Sequence, residues 1–130
     1  MIKKILVFGN MLIKKDNLPL KMMGDLKKSF PQIEFKEFDP SENLKEEGRE
    51  LYIIDTVEGI EKVEIITNFN DIKLSKIYSV HDFDLGYELK LLKKSGMIDK
   101  VTIFGVPMNL ERKNVFNQLK EKIKSFMNSK

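Results

Sequence analysis

A chain of 130 residues, 42% hydrophobic and 33% charged, has the composition of one compact domain over residues 1–130 and excludes a disordered, fibrous or disulfide-stapled protein. It contains no cysteine, which excludes thiol catalysis and thiolate metal sites and leaves oxygen and nitrogen as the donors for any metal ion. Its 23 basic and 20 acidic residues, net +3, are interspersed along the chain, so a nucleic-acid partner is not expected.

Lys4 to Phe8 is a short apolar run closed by Gly9-Asn10, the pattern of a buried strand ending in a turn. It reads as a first strand and not as a signal peptide, because no small-residue cleavage site follows. Asn17 and Pro19 mark a helix start; Leu18, Met22, Met23, Leu26 and Phe30 recur at helical spacing up to Pro31. Ile33 to Phe38 alternates apolar and polar residues, as a strand with one wet face does at or near a sheet edge.

The polar stretch Glu42 to Gly48 has room for one helical turn before Leu51 to Ile54, a continuous apolar run that indicates a strand covered on both faces. Asp55 is expected at that strand's carboxyl end. Lys62 to Thr67 predicts a further strand, Asn68 to Asn70 a loop, and Ile77 to Val80 is a short apolar run of either type. From Asp82 to Lys94, Leu85, Leu89 and Leu92 define a helix face, with acids at its start and Lys93-Lys94 and Gly96 at its end, as the helix dipole and cap preferences favour. Lys100 to Phe104 is the last predicted strand, followed by Gly105-Val-Pro107 and a closing helix marked by Val115, Phe116, Leu119, Ile123 and Phe126. No apolar run approaches the roughly 18 residues of a membrane span, and the expected location is the cytoplasm. The order of elements predicts an α/β fold: one three-layer domain, a mainly parallel sheet of about five strands, and helices on both faces.

In such sheets ligands collect beyond the carboxyl ends of the strands, which singles out three polar residues. Asp16 lies in the loop after the first strand, Asp55 follows the apolar run Leu51 to Ile54, and His81 precedes the helix that begins near Asp82. Two carboxylates and one imidazole suit nickel, zinc or another borderline divalent ion. Each also has a structural role open to it: Asp16 as a helix cap, Asp55 as an acceptor for loop amides, and His81 as a helix-start residue without a ligand.

Together with their surroundings these residues resemble the endopeptidases that mature nickel-iron hydrogenases. Ile5-Leu-Val-Phe-Gly-Asn-Met-Leu12 resembles that family's first strand and glycine-asparagine turn, and Asp16 falls where the family has a metal-binding acid. Ile53-Ile-Asp55 resembles the strand with its second acid, and Ser79-Val-His81 followed by Val101-Thr-Ile-Phe-Gly-Val-Pro107 resembles its histidine segment, last strand and the glycine-to-proline turn after it. The resemblance implies an enzyme that removes the carboxyl-terminal extension of a hydrogenase large-subunit precursor once nickel has been inserted. Asp16, Asp55 and His81 would touch the ion, which the substrate itself carries, and Asp16 or, second, Asp55 would be the catalytic base. Val7, Lys15, Pro19, Asp84 and the Asp39-Pro40-Ser41-Glu42 segment depart from the family pattern. They motivate an alternative, a non-catalytic member that holds the nickel-loaded precursor as a scaffold. A further alternative is a phosphoacceptor receiver domain phosphorylated on Asp55; it would require acids after the first strand and a lysine after the last, where this chain has Phe8-Gly9-Asn10 and Gly105-Val106.

Overall fold

A computed structural model of the chain describes residues 2–8, 18–38, 44–57, 59–67 and 85–128. Five strands form one sheet: β1 (Lys4–Val7), β2 (Glu34–Glu37), β3 (Glu50–Val57), β4 (Glu64–Ile66) and β5 (Lys100–Pro107). The order across the sheet is β2-β1-β3-β5-β4. All neighbours are parallel except β4, which runs antiparallel to β5 at one edge. Among the described residues four α-helices accompany them, α1 (Leu18–Lys21), α2 (Met23–Ser29), α3 (Leu85–Lys94) and α4 (Arg112–Asn128), with a 3₁₀ turn at Leu44–Glu47.

The period-two alternation of the strands sends their side chains into two cores. Ile5, Val7, Ile54, Phe104 and Val106 face one way and meet Met22, Leu26, Val115, Leu119 and Ile123 of the first pair of helices and α4. Leu6, Leu51, Ile53, Val57, Val101 and Ile103 face the other way and meet Leu89 and Leu92 of α3 and Leu44 of the 3₁₀ turn. The fold is therefore α/β with three layers, helices covering both faces of a mainly parallel sheet. The central strands are mainly apolar because both of their faces are covered; the edge strand β2 keeps Glu34 and Glu37 in solvent and buries Phe35.

Several boundaries differ from those the sequence predicts. The helix expected over Leu18–Phe30 divides at Met22, whose N–H is shared between the carbonyls of Leu18 and Pro19 at 3.2 Å each. β4 covers only the middle of the expected Lys62–Thr67 strand. Gly105, Val106 and Pro107 are not a turn; they lie in register with Asp55, Thr56 and Val57 of β3. Glycine at 105 avoids a tight contact: a Cβ there would stand 3.0 Å from Val57 Cγ2 and 3.3 Å from Ile66 Cδ1, and those side chains would have to give by a few tenths of an ångström. The end of α3 follows expectation: Gly96 adopts φ +78, and the Met97 and Gly96 N–H groups close back onto the Leu92 and Lys93 carbonyls at 2.9 and 3.1 Å, the Schellman arrangement that glycine permits. The predicted loop Asn68–Asn70 and the run Ile77–Val80 lie outside the described residues.

Candidate functional site

The connections leaving β1 and β3 diverge, and that divergence marks where a ligand would sit. After β1 the chain passes through α1 and α2 to reach β2 on one side of the sheet; after β3 it forms β4 and then α3 before reaching β5, both of these strands lying on the other side. Between the carboxyl ends of β1 and β3 the two connections therefore part to opposite sides, which in open α/β sheets creates the ligand crevice.

The same place is visible in the hydrogen bonds. The Phe8 N–H donates to the Ile54 carbonyl at 2.9 Å, just beyond the last β1 residue, while β3 continues through Val57. Strand alternation points the Thr56 N–H to the same side as Ile54, beyond that last bond. There the Asp55 carboxylate accepts it, through Oδ1 at 2.9 Å.

Asp55 thus lies inside β3, two residues before its end, and not at the terminus the sequence suggests. Its side chain shares the face of Ile53 and Val57, opposite Gly105 of the neighbouring strand. Asp55 and Thr56 are both fully buried. A carboxylate in an apolar interior is costly unless hydrogen bonds or a cation meet its charge, so an acid at this point of the sheet is a chemical feature and not a packing choice. Asp55 does accept a backbone amide, but its donor is Thr56 within β3 and not a loop amide.

Asp16 and His81 lie outside the described residues. By chain order, Asp16 belongs to the connection leaving β1 and His81 to the segment four residues before α3. Among the described residues no group of three histidine or carboxylate side chains gathers around a point. Asp55, an oxygen donor at the crevice, fits one position of the expected oxygen and nitrogen ligand set.

A second charged cluster was not legible in the sequence. Glu47, at the end of the 3₁₀ turn, accepts hydrogen bonds from Lys4 Nζ at 2.7 Å and Lys36 Nζ at 2.8 Å, one on each carboxylate oxygen. Its side chain is 9% exposed. Burial acts to raise its pKa, but the hydrogen bonds and charges of the two lysines outweigh burial and leave the pKa below the ordinary value of 4.5. Lys4 and Glu47 also line a cleft of about 210 Å³ with Lys3, Glu50, Leu51 and Tyr52, at the amino-terminal edge of the sheet. The Tyr52 hydroxyl there is held protonated, its pKa raised by burial and then by the Glu50 charge. With its central carboxylate already committed to two lysines, this cleft is a tie between the 3₁₀ turn and strands β1 and β2. At the same edge Arg49 grips Asp99 through two hydrogen bonds of 2.9 Å and the Gly96 carbonyl at 2.7 Å, fixing the start of β5 against that of β3.

No protein-family model and no curated protein matches this sequence. The chain is similar in structure to an uncharacterized protein from Wolinella succinogenes, with a TM-score of 0.57 and 16% sequence identity over 99% of each chain. At that identity the likeness establishes the fold. Among the described residues, no helix is long and apolar enough to cross a membrane.

Proposed function

We propose that this chain is a cytoplasmic endopeptidase that trims the carboxyl-terminal extension from a nickel-iron hydrogenase large-subunit precursor, recognising nickel already held by that substrate through Asp16, Asp55 and His81. The observation that carries the reading is Asp55: a fully buried carboxylate in the β3 strand beside the crevice where the β1 and β3 connections part. The motif order Gly9-Asn10, Asp16, Asp55, His81 and Val101–Pro107 supports the same reading through its resemblance to the maturation endopeptidases.

The ion supplies positive charge beside the bond to be cut, and zinc or a similar divalent ion suits the same oxygen and nitrogen donors. Asp55 contributes an oxygen held in place by the Thr56 N–H. The role of proton acceptor for the attacking water falls to Asp16 or, second, to Asp55. His81 completes the donor set through an imidazole nitrogen.

The test is to incubate the purified chain with a nickel-loaded precursor subunit and follow the precursor's mass. Loss of the carboxyl-terminal peptide is expected, together with its abolition in His81→Ala at an unchanged melting temperature. Stable association without a mass change would replace the enzyme with a scaffold. The phosphoacceptor alternative predicts stable labelling of Asp55 by a small phosphodonor with magnesium, a result that would overturn the peptidase reading.

A further inference from the structure

Charge alternates along the sequence, but folding sorts it. Helices α1, α2 and α4 together carry eight basic residues against two acidic, a net of +6, whereas the whole chain carries +3; the rest of the chain therefore sums to −3. These helices share one layer over the sheet. All of the eight cations except Lys120 are exposed, and among the described residues Arg112 is the one engaged by an acid of the same layer, Asp25 at 3.3 Å.

The layer also has a concavity. Between the carboxyl-terminal ends of α2 and α4 lies a groove of about 290 Å³ lined by Ser29, Phe30, Gln32, Lys124, Met127 and Asn128. Phe30 and Met127 give it apolar walls, while Lys124 puts a cation at its side.

We propose that this layer is a docking surface for a protein partner whose contact segment places an apolar side chain among carboxylates. The apolar side chain enters the groove between Phe30 and Met127, and the carboxylates meet Lys124 and the exposed Lys27 and Lys28 of α2. Anchoring a side chain in a small pocket within a field of complementary charge is how compact protein contacts gain both affinity and orientation.

Other polyanions fit less well. A phosphate backbone crossing the layer would meet Glu121 and Asp25 on the way, and the aromatic rings of α4, Phe116 and Phe126, are packed against the core, so they offer no stacking platform for bases. A lipid surface would call for apolar side chains to insert, yet the exposed large hydrophobic residues among the described ones, Leu91 and Met97, belong to α3 and its following turn, outside this layer. The groove lies at the amino-terminal edge of the sheet, away from Asp55, so docking there is independent of the proposed cleavage and is measured without it.

The experiment titrates the isotope-labelled full chain with an acetylated and amidated pentapeptide, a phenylalanine flanked by two glutamates on each side, and follows backbone amide shifts. Expected are shifts centred on Gln32, Lys124 and Met127, and affinity that falls as salt is added. Lys28→Glu with Lys124→Glu is expected to weaken binding at least about tenfold, whereas Lys90→Glu with Lys93→Glu on α3, equal in net charge, stays within about twofold. Equal losses in both variants would mean that net charge alone attracts the peptide, which overturns the proposal. So would equal binding of a peptide with alanine in place of phenylalanine, larger shifts at this layer from a short DNA duplex or from phosphatidylglycerol vesicles, or no shifts at millimolar peptide. The wild-type shift map and the peptide comparison involve no variant, so a misfolded variant leaves the proposal open to refutation.

Discussion

Two carboxylates with contrasting surroundings carry the predictions at the scale of single residues. Asp55→Asn preserves an oxygen acceptor for the Thr56 N–H and removes the charge, so the variant is expected to stay folded while losing most of its affinity for zinc or nickel in a calorimetric titration. Asp55→Leu leaves that buried N–H without its acceptor and is expected to lower stability by about 1–3 kcal/mol. A metal affinity unchanged in Asp55→Asn would reduce the carboxylate to a structural role.

Glu47 behaves differently because its charge is met by two lysines. Its folded pKa is lowered, so its contribution is present above the ordinary value of 4.5 and is lost as pH falls through the lower folded value. Glu47→Gln is therefore expected to cost about 1 kcal/mol at neutral pH. In denaturant melts the gap from wild type should close as the solution is acidified below pH 4.5. A gap that stayed constant to low pH would mean the lysines do not stabilise the carboxylate.

At the scale of elements, most of what periodicity predicts is present, and the exceptions have identifiable causes. Gly105 and Pro107 are turn-forming residue types, yet pairing with β3 holds them in a strand; tertiary contact overrides the local signal. Gly105→Ala is expected to destabilise by about 1–3 kcal/mol, because Val57, 1% exposed on a central strand, has little room to withdraw from the new methyl group. Chemical denaturation measures this, and a neutral result would show that Val57 can shift.

The sequence marks the amphipathic face of α3 at Leu85, Leu89 and Leu92, of which Leu89 and Leu92 are buried. Leu89 is fully buried against the sheet, so Leu89→Ala should cost about 2–5 kcal/mol. β4 was foreseen as a strand, but its antiparallel direction follows from how the chain returns to β5, which no local pattern records. Asp55 was legible as the polar residue after an apolar run. Its placement two residues inside the strand was not, because that depends on how far β5 extends beside it.

At the scale of the whole molecule, sequence order conceals what folding gathers. The interspersed charges that argued against a polyanionic partner come from segments that fold into different layers, and the basic excess collects on α1, α2 and α4. In the same way Lys4, Lys36 and Glu47 are remote in the chain and meet at one carboxylate. Hydrophobic periodicity specifies which face of an element is buried; it says nothing of which elements share a layer, and both features depend on that.

The central position of β3 also bears on how the chain reaches its native state. β3 pairs with β1 far upstream and with β5 far downstream, so its hydrogen-bond ladders close only after long loops have been ordered. Such non-local closure slows folding relative to a helical bundle of the same length. On the ribosome, β1 emerges first and waits for β3, and β3 in turn waits for the last third of the chain. Until β5 arrives, the apolar run from Leu51 to Ile54 is an uncovered strand edge, the stretch that a holding chaperone would find first.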